Sequence, residues 1–383
     1  MGDMMRRHMD LPPPPSASGK VAGGPYSVPR APDVAMPPWF RRDTYERFRT
    51  MDVRDDDIFL SSGVKMGTTW VARILNCLLH DIDDRGDKTD MYKNDAYPNR
   101  VGQTYPEAVP PSRDVQRRED EAGEGNAKMR GAVRRMFGDY VLDDLLDQPA
   151  PRLFSSHVFG RRLLPRGIFG DDGGGAGRGR LIVVVRNLKD ALVSNHHFRG
   201  LPKDGWFGNE HGPGSLNRWV DLESCPNAFG SAFKWIRESA DAVEELGPDR
   251  ALVIYYEALK LNFDSELRRI NAFLGLPPLT EAKAQAVAAE CTADSMRSDA
   301  DSRVKSIVRK GVIGDWTNFI DLDSWRRVDE AFDSSIGDVA IARPLRLFHS
   351  DDVHERIARV SDSEGEWERY WNSAYRDSNQ RPV

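Results

Sequence analysis

The sequence predicts an α/β fold: a single domain with a central parallel sheet flanked by helices on both faces. Two observations carry that reading. Residues 58–60 (IFL), 181–185 (LIVVV) and 251–256 (ALVIYY) are apolar without alternation, as strands covered on both faces are. Each run leads through a polar turn towards an apolar pattern at helical spacing, the order in which parallel strands are joined. At 383 residues, 39% hydrophobic and 30% charged, the length alone allows one large domain or two small ones.

Taken in order, residues 1–38 contain an unbroken run from Pro12 to Pro15 and no apolar periodicity, so a disordered tail is expected there. The domain is expected to span 39–348, with 349–383 a C-terminal extension. Residues 57–75 (DIFLSSGVKMGTTWVARIL) hold the clearest chemistry. A short strand runs into a turn bearing Gly63 and Gly67, and a helix opens at Trp70. Glycines let the backbone approach a ligand closely, and the first amides of a helix point outward unpaired. Lys65 adds a charge and Thr68 and Thr69 add hydroxyls, so the natural guest is a phosphate or a sulfate. Read alone, the same stretch is also an ordinary strand-to-helix turn.

After Leu79 the chain is polar to about residue 130 and reads as an irregular surface excursion. Residues 132–146 have helical spacing. Residues 151–159 (PRLFSSHVF) read as a strand delivering His157 at its end, and the glycine-rich 171–179 as a flexible loop. The strongest strand, 181–185, stops at Arg186 and leads into a helix carrying Ser194. A helix over 229–246 precedes the strand 251–256, which ends on Tyr255 and Tyr256 and is followed by Glu257. Of the two tyrosines one belongs to the core and one to the ligand face, and the sequence leaves open which. A helix over 263–274 stops at Gly275 and Pro277, another covers 281–290, and the basic stretch RKGVIGDW (309–316) is too poor in apolar residues for a core element. Trp367 and Trp371 stand four apart on a terminal helix.

Composition excludes several classes. A formal net charge of −6 argues against general nucleic-acid binding. No run approaches the roughly 18 to 20 apolar residues of a membrane span. Cys77, Cys225 and Cys291 are odd in number and widely spaced, which argues for a reducing, cytoplasmic setting and against a disulfide scaffold or zinc site. His196 and His197 are adjacent, have no third ligand at metal spacing, and point apart on a helix, so no metal is expected.

In an open parallel sheet the strand ends converge on one crevice. That would gather the Lys65 turn, Arg186 with Ser194, and the Tyr-Glu pair around a doubly anionic ligand. The motifs GVKMGTTW, SSHVF, VVVRNLKDALVS, VIYYE and RKGVIGDW, in this order over about residues 39–348, resemble the cytosolic-type small-molecule sulfotransferases, including their plant-like members, whose domain is P-loop-like. The resemblance implies 3'-phosphoadenosine 5'-phosphosulfate (PAPS) as donor, a small-molecule acceptor, and no metal. It implies that Lys65, Gly67, Thr68 and Thr69 hold the 5'-phosphosulfate, and that Trp70 lies against the adenine with Tyr256 at its edge. It further implies that Arg186, Ser194, Arg309, Lys310 and Gly311 bind the 3'-phosphate, with His157 as catalytic base and Lys65 at the leaving oxygen.

Departures from the family pattern are Val64 and Met66 on either side of the lysine, Ala293 in place of an aromatic, and Ser155 two residues before the histidine. The family's dimer signature is not recognisable in TNFIDLDSWRRVDE, so no dimer is carried over. Two rival readings are a P-loop kinase and an inactive nucleotide-binding module of the same fold. In the kinase motif the Lys follows the last Gly and directly precedes Ser or Thr, whereas Lys65 precedes Gly67.

Overall fold

The structure, a computed structural model, describes residues 40–90, 104–122, 130–131, 133–134, 138–171, 176–198, 231–298, 308–319, 322–350 and 352–362. The tail 1–38, Cys225 and the helix expected around Trp367 and Trp371 lie outside the described residues.

Four strands form one parallel sheet in the order β2-β1-β3-β4: β1 Ile58–Ser62, β2 Leu153–Ser156, β3 Arg180–Val185 and β4 Ala251–Tyr255. Phe59 of β1 stands opposite Phe154 of β2 and Leu181 of β3, and Val183 of β3 stands opposite Val253 of β4. Alternate side chains enter two cores, one on each face. Ile58, Leu60, Ile182, Val184, Leu252 and Ile254 join one core. Phe59, Leu181, Val183, Val185, Val253 and Tyr255 join the other. Burial on both faces is why these strands read as unbroken apolar runs.

Helices supply the covering layers. In chain order they include α1 Arg42–Arg49, α2 Thr68–Asn76, α3 Arg113–Ala122, α4 Leu142–Leu146, α5 Leu188–Phe198, α6 Ala232–Leu246, α7 Tyr256–Leu261, α8 Phe263–Phe273, α9 Glu281–Glu290, α10 Ala293–Ser298, α11 Leu322–Ile336 and α12 Val353–Asp362. Phe48 of α1 packs 6.3 Å from Phe59 and 5.8 Å from Phe154, ring centre to ring centre. At the far end of the sheet Arg152 closes a buried ion pair on Asp57, 2.6 Å and 2.7 Å to its two carboxylate oxygens. Val353 of α12 is fully buried in the larger core, so packing continues past residue 348.

Two expectations are corrected. The helix expected over 132–146 does not run through, because residues 138–141 are not helical and Gly138 has φ 108°. Only α4 remains of its second half, and the Asp144 carboxylate accepts the N–H of Val141 at its start. Spacing alone did not register the glycine as a break. Nor is the segment after Leu79 merely irregular. It contains α3, and Thr104, Tyr105, Glu107, Ala108 and Val109 are buried. That segment pairs with the open edge of β2: Tyr105 N–H donates to the Ser155 carbonyl at 2.9 Å and Thr104 N–H to the Ser155 hydroxyl at 2.8 Å.

All four strands deliver their C-terminal residues to one edge. The chain leaves β1 towards β2 on one side, and leaves β3 towards β4 on the other. The ends of β1 and β3 therefore flank the point where the winding reverses, the place where open α/β sheets hold ligands. Lys65 follows β1 and Arg186 follows β3.

Candidate active site

The turn after β1 is shaped by its own side chains. Gly67 caps α2 with φ 115°, a left-handed conformation that favours glycine. A Cβ there would lie 2.9 Å from Cδ2 of Tyr256, so the turn also needs glycine for close approach. Met66 is fully buried, and its sulfur would lie 2.6 Å from a Cβ at Gly63. The methionine fills the space above that glycine and packs into the larger core. Lys65 itself has φ 63°, an uncommon conformation for a side-chain-bearing residue, and its Nζ lies 4.4 Å from the centre of the Phe198 ring.

Cations converge here. Arg186, 6% exposed, donates to the Lys65 carbonyl at 3.1 Å and lies over the Tyr256 ring at 4.1 Å. Burial first, then the charges of Arg186 and Arg309, hold Lys65 down to about 7. Arg309 and Lys310 share the carboxylate of Asp315 at 2.5 Å and 3.1 Å. The Nε of Arg186 and the Nε of Arg309 are buried without hydrogen-bond partners. A group of cations in which the arginines hold down the lysine's protonation, with buried arginine donors left over, fits a polyanion.

The basic stretch is held in place by α5. The Asp190 carboxylate accepts from Gly314 N–H at 2.7 Å and Trp316 N–H at 3.1 Å. Gly311 comes up to Tyr256, since a Cβ there would lie 3.5 Å from the tyrosine hydroxyl. Ser194 is buried one turn beyond Asp190 on α5. The Asp190 carboxyl, also near Arg186, is thus engaged by backbone, which leaves the arginine for another partner.

The two tyrosines divide their roles. Tyr255 turns into the core and donates to the Ile341 carbonyl at 3.1 Å. Tyr256 opens α7 and meets Arg186, Gly67 and, edge-on at 5.2 Å, Trp70. Trp70 donates its indole N–H to the Cys291 carbonyl at 2.9 Å, so its plane is fixed beside the start of α10, where Ala293 stands.

His157 follows β2. Its Nδ1 lies 2.6 Å from the Ser62 carbonyl and its Nε2 lies 3.1 Å from the Tyr105 hydroxyl. A carbonyl only accepts, so Nδ1 carries the proton and the Nε2 lone pair faces the site. Burial, and then the charge of Lys65, press the imidazole down to about 4, so it is neutral at pH 7. Behind it, Glu107 accepts the His157 backbone N–H at 3.4 Å, and burial pushes this carboxyl up to about 7.

The sulfotransferase domain family matches residues 55–340 of the chain. The chain belongs to that family. This sulfotransferase is 27% identical to human sulfotransferase 2B1 over 300 residues, covering 74% of the chain and 67% of the relative. It is 22% identical to rabbit amine sulfotransferase over 307 residues, covering 76% and 85%. Among solved structures, mouse sulfotransferase SULT7A1 complexed with PAP superposes with a TM-score of 0.54 at 22% identity, covering 80% of this chain and 93% of that one. At that identity the likeness speaks for the fold.

Sequence reasoning placed Lys65, Gly67, Thr68, Thr69, Trp70, Arg186, Tyr256, Arg309, Lys310 and Gly311 around one edge, and there they lie. It missed Tyr105 and Glu107. The signal available was TYPEAV, residues 104–109, a compact run with Tyr105, Ala108 and Val109 inside an otherwise polar region.

Proposed function

We propose that this sulfotransferase uses PAPS as donor and passes the sulfuryl group to a hydroxyl or amine of a small-molecule acceptor in a single in-line displacement, with His157 as base. The observation that carries the donor reading is the convergence of Lys65, Arg186 and Arg309, in which the buried Nε atoms of Arg186 and Arg309 have no hydrogen-bond partner, at the reversal point of the sheet. Such a group suits a ligand with two separated anionic ends. Thr68 and Thr69, buried at the N-terminus of α2, would meet the 5' end, with Arg186, Ser194, Arg309, Lys310 and Gly311 at the 3'-phosphate.

The donor supplies an activated sulfuryl group whose leaving oxygen gains negative charge. Lys65 is the group positioned to stabilise that charge when protonated. A neutral His157, its proton fixed on Nδ1, presents Nε2 to an acceptor hydroxyl and takes its proton as attack proceeds. In-line positioning does the remaining work, and no covalent enzyme intermediate is required. Tyr256 and Trp70 form the aromatic wall for the adenine, and Ala293 adds no further ring.

The domain is proposed to span residues 39–348 between the terminal segments. A cytoplasmic setting is proposed as well; among the described residues no helix is long and apolar enough to cross a membrane. The two named relatives are animal proteins and lend the plant-like subtype no support. Ser155, two residues before His157, holds the Thr104–Tyr105 backbone with its hydroxyl and carbonyl. The test is transfer of labelled sulfuryl from PAPS to a panel of phenols, alcohols and amines. Transfer is expected. Tight donor binding with no transfer would favour the inactive module, and magnesium-dependent consumption of ATP the kinase.

A further inference from the structure

The hydroxyl of Tyr105 lies 3.1 Å from the reactive nitrogen of His157. Two contacts fix its state. The Ser62 carbonyl at 2.6 Å commits the imidazole proton to Nδ1. Nε2 can then only accept, so the phenol at 3.1 Å must donate. The result is a directed hydrogen bond from Tyr105 to Nε2 of His157.

The segment carrying Tyr105 is held to this position. Its backbone bonds to Ser155 on the β2 edge, its ring packs 4.9 Å from the imidazole, and its side chain is 4% exposed. Tyr105 also has φ 39°, a conformation uncommon for a bulky residue and retained where surroundings demand it.

An acceptor hydroxyl must donate to the same lone pair within hydrogen-bond reach, about 2.6–3.2 Å. Nε2 has one lone pair, so the two hydroxyls exclude each other. We propose that Tyr105 is a latch on the base: with no acceptor bound, its phenol occupies on His157 Nε2 the place the acceptor hydroxyl takes, and acceptor binding exchanges one hydroxyl for the other. Tyr105 is then a positioning residue that keeps the imidazole aligned and closed between turnovers. The inference rests on the reading of His157 as base.

The experiment follows the imidazole directly. In donor-free protein labelled with 15N-histidine, NMR gives the midpoint at which His157 titrates. The charged or titratable groups facing it are Lys65 from the β1 turn, Glu107 and Tyr105 from the 104–109 segment. A hydroxyl donating to Nε2 favours the neutral ring. Tyr105→Phe is therefore expected to raise the midpoint by about 0.4 to 1 pH unit, the effect of one lost neutral hydrogen bond. With an acceptor found in the transfer panel, the same variant is expected to lower the acceptor KM about 2- to 10-fold with kcat unchanged. An unmoved midpoint overturns the latch, and so does a fall in kcat with KM unchanged, which would make Tyr105 part of the transition state. If the phenylalanine variant melts early, Tyr105→Leu repeats both readings. Should His157→Ala retain turnover, the base assignment fails whatever the Tyr105 midpoint shows, so the two failures are distinguishable.

Discussion

The charge state of Lys65 gives the most quantitative prediction. In the donor-free site, burial and the neighbouring guanidinium groups hold this lysine down to about 7. A polyanion prefers it protonated, so binding returns it towards its ordinary value of 10.5. The sign follows: affinity is flat below the free-state value and falls tenfold per pH unit above it. Between pH 7 and pH 9 the protonated fraction drops from one half to about one hundredth, so affinity for adenosine 3',5'-bisphosphate should fall about 50-fold, or about 2.3 kcal/mol. The ligand's own phosphates, with second ionisations near 6, stay charged across that window, and the arginines do not titrate. Calorimetry from pH 7 to 9, run in two buffers of different ionisation enthalpy, should also show uptake of roughly 0.9 proton per ligand at pH 8. In Lys65→Met the affinity at pH 7 should be lower and the slope absent. A flat wild-type profile, or the same slope in the methionine variant, would refute the reasoning.

Other substitutions probe other parts of the site. Arg186→Ala removes a buried charged donor and should weaken binding of the bisphosphate about 10- to 100-fold by calorimetry; unchanged affinity takes Arg186 out of the phosphate site. Gly67→Ala places a Cβ against Tyr256 at a φ of 115°, so bisphosphate affinity should fall together with the melting temperature. Asp57→Ala leaves Arg152 without its buried carboxylate and should destabilise the fold by about 3–5 kcal/mol in urea titration. Its distance from the ligand edge predicts unchanged affinity in the protein that remains folded.

How legible the molecule was from its sequence can be argued from particular residues. The apolar runs at 58–60, 181–185 and 251–256 announced buried parallel strands because both faces of each strand enter a core. Residue order then implied which turns share an edge. What stayed hidden depends on long-range pairing. Tyr105 reaches His157 only because Ser155, 50 residues on, presents its carbonyl and hydroxyl to the 104–105 backbone. A polar neighbourhood masked that addition to the sheet edge. Met66 was legible as a departure but not in its consequence, because the contact that absorbs it is with Gly63 across the turn. Gly138 was misjudged for the opposite reason: helical spacing continues on both sides of a break that one left-handed residue makes.

The site turns on one division of labour, in which cations hold the donor and a single imidazole takes the acceptor's proton. Measuring His157→Ala for transfer of labelled sulfuryl and for binding of adenosine 3',5'-bisphosphate tests it most directly. Turnover should fall by about 100- to 10,000-fold, while bisphosphate affinity stays within twofold of wild type. Parallel loss of both, or turnover close to wild type, would contradict the account.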